Sequence, residues 1–553
     1  MKKRILTLMM LLMMATLAVK ANPVDMRTVR EVAMRFMNAN TRTPLRSVDD
    51  LQLVTTYGID RGDAAFHVFN TPNGFVIVSA DDYATPILGY SDEGQFDVND
   101  VPVQLQDYLH DFVEQIQYGI ENHVEADEQI TRQWELVRTV GRLNENRDGE
   151  VVEPLVSALW GQGCYYNDMC PEDPEGPCDH VLTGCVATAM GMILYYWGYP
   201  VQGTGSHIYT PMPYPTTQYP EQSVNFGETI YDWANMPDHL TDTSTQTEIA
   251  AVASLLWHCG VAVDMNYSPY GSGAEGHFTA LIDYFGFSDD MHWEARQDDE
   301  TWMSMLKADL DHGCPIFYTG YRWANSGHAF VCDGYDVNDR FHFNWGWGGS
   351  SNGYFALNAA MLFVYDNDAI FNIHPNTQTI TLSEGWNWIS TYIDLNEVNG
   401  IALLEEALGD HAIEIQTFGD GAEYFGGGEW VGLEEYEWTN AEMVMVYVTE
   451  DCTITLAGPA VDPSAVEIEI NSGWNWIGFP VDAETNIEVV MGDFEPEEGD
   501  IIASSTEGYD YLGEWIDIET LVPGQGYMYY SNSAEPKNLV FQLGSSKAKD
   551  DRR

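Results

Sequence analysis

One cysteine, Cys185, stands where its thiol could act as a nucleophile. It follows a glycine in the segment 183–190 and opens an apolar run that continues to Trp197, a pattern typical of a helix. A thiol in the first turn of a helix lies where the macrodipole favours the thiolate, which is the reactive form of cysteine. Cysteine is also among the most buried residue types, so this segment alone does not separate a catalytic thiol from a core residue.

A histidine and an asparagine on adjacent predicted strands supply the partners that such a nucleophile needs. The segment 327–335, which contains His328, alternates like a strand, and Asn344 lies in a second such segment after a turn-rich stretch at 336–339. Counting outward from the turn predicts that His328 and Asn344 are cross-strand neighbours. The histidine would take the thiol proton, and the amide would hold the imidazole in one tautomer.

Four blocks of sequence extend this pattern, at residues 160–167, 183–189, 327–331 and 344–349. They read WGQGCYYN, TGCVATA, GHAFV and NWGWGG. In this order they resemble the streptopain family of papain-like cysteine proteases, and the resemblance covers essentially all of residues 151–375. Residues 24–147, most clearly at 74–82, resemble the inhibitory propeptide of the same family.

The resemblance implies an α+β papain-like protease domain that cuts proteins as a cysteine endopeptidase. Carried over position by position, Cys185 is expected to be the nucleophile, His328 the general base and acid, and Asn344 the orienting group. Gln162 is expected to donate its side-chain amide to the oxyanion hole beside the N–H of Cys185. Trp345 is expected to shield the His and Asn pair from water.

The resemblance also implies the walls of the substrate cleft. They are a mobile glycine-rich loop after the second predicted strand, the helix of the nucleophile, and a stretch at 267–274 that would border an apolar pocket. The residues expected to line the cleft are Gly346, Gly348, Gly349, Ala187 and Gly273. Protein substrates and the chain's own propeptide, as inhibitor, are the expected partners.

Composition excludes several classes of function. The 553 residues include 23 Lys and Arg against 86 Asp and Glu, a formal net charge of -63 at pH 7. A surface this acidic repels nucleic acid and anionic lipid, so nucleic acid is excluded as a partner. The hydrophobic fraction of 45% indicates a folded, soluble protein rather than a disordered one.

The N-terminus predicts export. Three basic residues at 2–4 precede an apolar stretch that runs to Leu17, and small residues follow before Asn22, the pattern of a removable signal peptide. No later run of about eighteen apolar residues could span a bilayer, so we expect no transmembrane segment. The expected location is therefore secreted or at the cell surface.

The elements that must position these residues divide into several domains. Residues 103–143 carry the pattern of one long helix, and the motif at 384–390 returns at 472–478, an offset of 88 residues that predicts two related modules. The predicted fold class is multidomain, with an α+β papain-like protease domain preceded by an α+β propeptide and followed by two β-sandwich-like repeats. The predicted boundaries are 1–21 (signal peptide), 22–147 (inhibitory propeptide), 148–376 (protease), 377–465 and 466–546 (repeats) and 547–553 (tail).

The remaining cysteines leave alternatives open. Cys164, Cys170 and Cys178 either form a disulfide or stay as inert thiols, and zinc bound with His180 is a weaker alternative because the spacing matches no usual zinc template. We expect no metal and no cofactor. The G-x-S-x-G pattern at 349–353 precedes a predicted strand rather than a helix, so it does not indicate a serine nucleophile.

Several functional alternatives also stay open. The arginines between 132 and 147 indicate either a processing linker or a helix face, and cleavage there is either intramolecular or made by a trypsin-like partner. The chain could instead be a cell-wall peptide hydrolase, or a surface adhesin with an inactive papain-like domain. The aromatic residues of the repeats are either core or a surface for a glycan or matrix protein.

Overall fold

The structure is a computed structural model. It describes residues 22–145, 151–213, 217–274, 279–321, 327–360, 367–395, 399–419, 421–425, 430–433, 436–458 and 460–542. They form two compact units, the first made of residues up to 280 together with 290–373, and the second of residues 281–289 together with those from 374 onward. The predicted signal peptide at 1–21 and the predicted tail at 547–553 lie outside the described residues.

The first unit combines helices with a large sheet. Its α-helices, with the short α6 that leads out of it, are α1 (Met26–Asn40), α2 (Val103–Asn122), α3 (Glu128–Val140), α4 (Cys185–Trp197), α5 (Gln246–Ala262), α6 (Ala280–Phe285) and α7 (Asp299–Asp311). Its strands are β1 (Gln52–Gly58), β2 (Ala64–Asn70), β3 (Phe75–Ser79), β4 (Ile87–Ser91), β5 (Ser206–Tyr209), β6 (Gln222–Asn225), β7 (His292–Ala295), β8 (Ile316–Tyr321), β9 (Gly327–Tyr335), β10 (Phe341–Asn344), β11 (Gly353–Phe355) and β12 (Asn367–Phe371).

One antiparallel sheet runs through the whole first unit. Ten strands follow the order β1-β2-β3-β4-β11-β10-β9-β8-β12-β7, and the first four come from the N-terminal region. The two regions meet where β4 pairs with β11, with Tyr90 opposite Tyr354 and Gly89 opposite Phe355. The predicted propeptide and protease therefore share a single hydrogen-bonded sheet.

The N-terminal region begins as the sequence predicts. The carboxylate of Asp25 caps α1 by accepting hydrogen bonds from the backbone N–H groups of Arg27 and Thr28. The dipeptide Asn73–Gly74 lies between two alternating segments and predicts a hairpin, and strands β2 and β3 form it. These elements follow from local signals, a cap and a turn, that short stretches of sequence carry.

The prediction of one long helix over 103–143 is wrong. Helix α2 ends at His123, which adopts the left-handed conformation with a φ of 52°. The carboxylate of Asp127 then accepts a hydrogen bond from the N–H of Ile130 and starts α3 as a separate helix. Helical periodicity continues across the break, so the apolar pattern alone does not reveal it.

A shared hydrophobic core joins the two regions of the first unit. Phe112 of α2 and Phe75 of β3 belong to the same buried cluster as Phe330, Phe343 and Phe355 of the strands beyond β4. A second cluster lies on the other side of the N-terminal strands, beneath α1 and α3. The N-terminal region therefore contributes apolar surface to a core that the protease region completes.

A buried polar network reinforces the same junction. The buried guanidinium of Arg340 donates hydrogen bonds to Oγ1 of Thr85 at 2.8 Å and to the carbonyl of Ile87 at 3.0 Å. The hydroxyl of Tyr90 donates to Oδ2 of Asp336 at 2.8 Å. Buried charges require such partners, so the turn between β9 and β10 depends on the N-terminal region.

The second unit is rich in strands. Its further α-helices are α8 (Gly400–Leu408) and α9 (Ile487–Val490). Its strands are β13 (Thr377–Leu382), β14 (Gly385–Ile389), β15 (Ala412–Gln416), β16 (Gly421–Tyr424), β17 (Trp430–Val431), β18 (Val444–Val448), β19 (Cys452–Ala457), β20 (Ile468–Ile470), β21 (Gly473–Ile477), β22 (Thr485–Asn486), β23 (Ile501–Ala503), β24 (Gly508–Asp510), β25 (Thr520–Leu521), β26 (Tyr527–Ser531) and β27 (Lys537–Leu539).

The pentapeptide GWNWI forms a strand at both of its occurrences, β14 and β21. The first belongs to a sheet in the order β14-β18-β15-β16-β17 and the second to one in the order β21-β26-β23-β24. One buried cluster draws on residues between 380 and 456, and another on residues between 468 and 541. The C-terminal region is therefore β-rich.

Substitution of Gly353 tests the junction between β4 and β11. A Cβ atom at this position would lie 2.5 Å from the carbonyl oxygen of Tyr90, so we expect Gly353→Ala to destabilise the pairing by about 1–3 kcal/mol. Hydrogen exchange of the β4 and β11 amides should accelerate accordingly. The control is Gly271→Ala, because a Cβ there meets no atom within 4 Å. If the β4 and β11 amides exchange equally slowly in Gly353→Ala and Gly271→Ala, the expected loss of the β4–β11 pairing would be contradicted.

Candidate active site

Cys185 is the first residue of α4, as the sequence predicts. Gly184 before it has a φ of +91°, and a Cβ there would lie 2.7 Å from Sδ of Met265, so this turn requires glycine. The Cys185 sulfur accepts a 3.5 Å hydrogen bond from the backbone N–H of Ala329. The thiol is therefore adjacent to the backbone that carries His328.

The environment of Cys185 favours the protonated thiol in this state. Burial raises the pKa of Cys185, and hydrogen bonds from backbone N–H groups, including that of Ala329, oppose the shift without cancelling it. A thiolate would need a nearby cation to offset the cost of burial. The thiol of Cys185, the predicted nucleophile, is therefore protonated in this structure.

His328 lies near the start of β9 and faces the N-terminal region. Its Nε2 is 3.4 Å from Oδ2 of Asp107, a residue of α2. Burial lowers the pKa of His328, and the carboxylate of Asp107 partly opposes that effect. The imidazole thus makes a contact that a catalytic base in a working dyad would have to give up.

The predicted cross-strand pairing of His328 with Asn344 is wrong. Asn344 lies opposite Val331, because the turn is centred two residues later than predicted; the register shift between His342 and Phe343 changes the partner of Asn344 by only one residue. The carboxylate of Asp336 pins this turn by accepting hydrogen bonds from backbone N–H groups within it. Neither the bulge nor this side-chain clamp is visible in an alternating pattern.

The amide of Asn344 bonds within the protease region. Its Nδ2 donates to the carbonyl of Ala158 at 2.8 Å, and its Oδ1 accepts a longer hydrogen bond of 3.3 Å from the N–H of Gly346. The side chain is almost completely buried. Asn344 is therefore fixed in place before any contact with an imidazole.

Gln162 lies on the chain segment that runs beside the start of α4. Its backbone carbonyl accepts a 3.1 Å hydrogen bond from the N–H of Thr183, two residues before the nucleophile. The side chain is buried, with 6% of its surface exposed. The segment is held further by a 3.0 Å hydrogen bond from the N–H of Gly348 to the carbonyl of Trp160.

Trp345 is fully buried within an aromatic cluster. Its ring packs against Phe330 at 4.8 Å and against Phe355 at 5.2 Å between ring centroids. Tyr108 of α2 covers it from the N-terminal region at 5.8 Å. Part of the shield around Trp345 is thus supplied by the region that resembles a propeptide.

The glycine-rich loop adopts the backbone that its composition allows. Gly346, Gly348 and Gly349 all have positive φ values, of 67°, 63° and 77°. The loop is also anchored, because Oγ of Ser350 donates a 3.0 Å hydrogen bond to the carbonyl of Asp100 in the N-terminal region. The expected mobility of this loop stays a prediction, and it concerns the chain in which the contact with Asp100 is absent.

The two other expected pocket residues lie in different surroundings. Ala187 is fully buried within α4. Gly273 is exposed, and its backbone exchanges two hydrogen bonds with that of Asn266. Their role in lining a substrate pocket stays a prediction.

The structure selects one disulfide from the alternatives that the sequence leaves open. Cys164 and Cys178 are bonded, and Cys170 is a buried free thiol. Burial raises the pKa of Cys170 well above its ordinary value. In the described part of the chain, no group of three or more His, Cys, Asp and Glu side chains is placed to hold a metal ion.

Asp107 and Tyr108 are the site residues that sequence reasoning missed. The helical pattern of α2 marks Tyr108 as a core residue but says nothing about which region it covers. Asp107 is one carboxylate among the many in the chain. Their contacts with His328 and Trp345 arise only when the two regions pack together.

Comparisons with protein families match both regions of the first unit. A model of the Peptidase C10 family matches residues 160–355. A model described as Spi protease inhibitor matches residues 21–116. These two matches are separated by the helix α3 and the segment that follows it.

Individual relatives cover the same regions. The chain is 31% identical over 369 residues to the thiol protease/hemagglutinin PrtT of Porphyromonas gingivalis, a match that covers 64% of this chain and 41% of that protein. It is 30% identical over 376 residues to streptopain of Streptococcus pyogenes, covering 62% of this chain and 88% of streptopain. A solved fragment of prointerpain A from Prevotella intermedia is 31% identical, with a TM-score of 0.49, covering 59% of this chain and 99% of the fragment.

The contact between Asp107 and His328 predicts a titration effect. Because the carboxylate raises the pKa of His328 against the lowering effect of burial, Asp107→Asn should lower that pKa further. The imidazole would then stay neutral to a lower pH. Nuclear magnetic resonance of chains with labelled histidine, in a Cys185→Ala background, measures this shift, and His328→Gln assigns the signal.

A matched control lies on the same helix. Glu114→Gln removes another carboxylate of α2, whose contact is with His110, and should leave the His328 titration unchanged. An unaltered or raised pKa of His328 in Asp107→Asn would contradict the contact.

Proposed function

Since the chain belongs to the Peptidase C10 family and is a cysteine peptidase, we propose that it is made as a latent endopeptidase whose nucleophile is Cys185. The observation that carries this proposal is the contact between the Cys185 thiol and the N–H of Ala329, next to His328. Nucleophile and base are thus adjacent in the fold, although 144 residues separate Cys185 from Ala329.

In the proposed acylation step, His328 removes the proton of the Cys185 thiol, and the thiolate adds to the carbonyl carbon of the scissile peptide bond. The oxyanion is stabilised by the N–H of Cys185 in the first turn of α4 and by the side-chain amide of Gln162. His328 then protonates the leaving amine, and the C–N bond breaks. A thioester between Cys185 and the acyl part of the substrate remains.

In the proposed deacylation step, water replaces the departed amine. His328 accepts a proton from this water, and the hydroxide adds to the thioester carbonyl. The C–S bond breaks, the acyl group leaves as a carboxylic acid, and the proton returns to the sulfur of Cys185. The enzyme is regenerated without any group beyond its own residues and water.

Asn344 is proposed to orient the imidazole in the active form. Its Oδ1 accepts the 3.3 Å hydrogen bond from Gly346, and an N–H of His328 would replace that weak partner. This requires the imidazole to turn away from Asp107. Trp345, beside these residues, is proposed to limit access of water to their hydrogen bond.

The N-terminal region is proposed to impose latency through three contacts. Asp107 holds the imidazole of His328, Tyr108 covers Trp345, and the carbonyl of Asp100 anchors the glycine-rich loop. Each contact is lost when this region leaves. The region thus acts as the chain's own inhibitor.

Activation is proposed to occur by cleavage between residues 142 and 152. Residues 146–150, including Arg147, lie outside the described residues, and the chain on either side is anchored to the β9–β10 hairpin. Leu143 donates a hydrogen bond to the side chain of Asn338, and Val152 donates one to the carbonyl of Tyr335. A cut between two anchored ends would free the inhibitor while leaving the start of the protease in place.

The proposed setting and architecture follow from the remaining sequence features. We propose export by the signal pattern at 1–21, with the enzyme secreted or held at the cell surface and acting on proteins. Within the described residues, no helix combines the length and apolar character needed to cross a membrane. We propose that 377–465 and 466–546 are two copies of a β-sandwich-like module, supported by the separate hydrophobic cores.

The nucleophile and the oxyanion donor can be tested together. We expect the wild-type chain under mild reduction to lose its N-terminal region and to gain casein-hydrolysing activity in step. Cys185→Ala should stay whole and inactive, and Gln162→Ala, once trimmed, should lose roughly 10²–10³-fold in kcat. Gels and casein hydrolysis give the measurement.

Two further outcomes distinguish the remaining alternatives. If both the wild-type and Cys185→Ala chains stay whole, trace trypsin supplies an external cut at the linker arginines, and activity confined to the wild type would still support the proposal. A trimmed wild type that cleaves purified peptidoglycan but not casein would contradict it in favour of a cell-wall hydrolase.

Removal of the Asp107 carboxylate should speed activation. A partly buried charged contact of this kind contributes about 1 kcal/mol or less, so we expect Asp107→Asn to shorten the delay before activity about two- to fivefold. Glu114→Gln on the same helix is the control and should match the wild type. A delay unchanged in Asp107→Asn would show that latency depends on other contacts.

A further inference from the structure

Two sheets of the second unit carry the same set of outward side chains. The first aromatic face, on β14 and β18, consists of Trp386, Trp388, Met445 and Tyr447. The second aromatic face, on β21 and β26, consists of Trp474, Trp476, Met528 and Tyr530. Neither face has a part in the chemistry proposed for the first unit.

The strand register places the rings of each face side by side. Trp386 lies opposite Tyr447, and Trp474 lies opposite Tyr530. Their ring centroids are 5.4 Å and 5.2 Å apart, and both pairs meet edge to face. Trp386 is 41% exposed and Trp474 is 47% exposed, so each face offers a large ring to solvent.

The outward positions are identical in the two faces, whereas the core-facing positions of the second strand of each pair, β18 and β26, differ. Val444 and Val446 face the core from β18, and Tyr527 and Tyr529 take the corresponding places on β26. Packing normally constrains the core more than the surface. On β18 and β26, the outward residues are identical although the core-facing residues beside them differ, which favours a role of the outward residues in binding.

The asparagine between the two tryptophans provides a contrast. Asn387 exchanges two hydrogen bonds with the backbone of Ser383, and Asn475 does the same with Asn471. These bonds close the turn before each strand, so folding explains why the asparagine is repeated. Trp386 and Trp474 present their rings to solvent instead.

Phe418 connects the two faces. It follows β15, whose Gln416 lies opposite Met445 of the first aromatic face. The ring of Phe418 is 68% exposed and packs 5.8 Å from Trp476 of the second aromatic face. Phe418 thus lies against the second aromatic face and two residues beyond a strand position that borders the first, an arrangement that suits an elongated partner.

The segment that builds the two faces carries only negative formal charge. Residues 377–536 contain 33 Asp and Glu and no Lys or Arg. Within the sheets, Glu414 lies opposite Tyr447, Glu423 lies opposite Glu414, and Asp510 lies on the same row as Tyr530. Anionic partners are repelled by such a surface, and cationic ones are drawn to it.

Exposed rings beside carboxylates are the chemistry that recognises organic cations. A guanidinium or ammonium group is attracted to the face of Trp or Tyr and pairs with a nearby carboxylate. A neutral sugar would use the rings but would gain nothing from the one-sided charge. The charge of this unit therefore favours a basic polypeptide over a neutral glycan.

We propose that the two aromatic faces together bind an extended arginine- or lysine-rich segment of another protein. Basic side chains lie over the tryptophan and tyrosine rings, with their charges near Glu414, Glu423 and Asp510. The partner crosses from one face to the other beside the exposed ring of Phe418. This binding does not depend on Cys185, so its failure and the failure of the peptidase proposal are separate results.

The test uses the full chain with Cys185→Ala, which prevents cleavage of the probe. The probe is an alternating Arg–Ser peptide long enough to cross both faces, measured by calorimetry and by tryptophan fluorescence. We expect saturable binding that weakens with salt, and roughly tenfold or greater weakening when Trp386→Ala and Trp474→Ala are combined. Glu414→Gln should weaken binding about two- to fivefold.

Matched controls separate specific docking from general attraction to an acidic protein. Val489→Ala removes an exposed apolar side chain elsewhere, and Glu406→Gln removes an exposed carboxylate of α8, so both should bind like the parent. If the double tryptophan variant fails to fold, two other measurements still test the proposal. They are the change in tryptophan fluorescence of the parent on binding the peptide and the comparison of Glu414→Gln with Glu406→Gln.

Three results would overturn the proposal. One is the absence of saturable binding by the Arg–Ser peptide. Another is binding that is equally strong in the tryptophan variants and the controls. The third is binding of a neutral oligosaccharide of N-acetylglucosamine in place of the peptide, which would assign the faces to a glycan.

Discussion

The pairing of β4 with β11 is the contact on which the first unit depends, because it makes the strands of the inhibitor part of the peptidase's own sheet. The shared core and the buried guanidinium of Arg340, bonded to Thr85 and Ile87, follow from this continuity. The inhibitor is therefore part of the sheet and core of the latent enzyme, and not a separate domain that only covers the cleft. Folding of the N-terminal region and the state of the active site are linked.

The structure favours the uncharged forms of the two proposed reacting groups. Burial raises the pKa of Cys185 and lowers that of His328, so each shift favours a neutral thiol and a neutral imidazole. A working dyad needs the opposite, a thiolate beside an imidazolium. The carboxylate of Asp107 favours a charge on the imidazole and so partly opposes the effect of burial on the pKa of His328.

Local patterns in the sequence were sufficient to predict the start of α4 and several other elements, but they did not predict the long-range contacts. The glycine before Cys185 and the apolar run after it predicted the start of α4, and Asn73 with Gly74 predicted a hairpin. The partner of Asn344 was mispredicted, because the clamp by Asp336 centres the turn two residues later than the alternating pattern indicates. The contact of Asp107 with His328 needed the packing of two regions, which no periodicity encodes.

Strand β11 has only three residues, and it becomes the border of the protease sheet once β4 departs. The unpaired edge of a sheet can pair with strands of other chains and so promote aggregation, and a longer edge carries a greater risk. An edge strand as short as β11 exposes few unpaired amide and carbonyl groups to another chain. We therefore expect the peptidase without its N-terminal region to resist self-association at this edge, while a complete N-terminal region, which brings helices and core contacts as well as a strand, can still bind there.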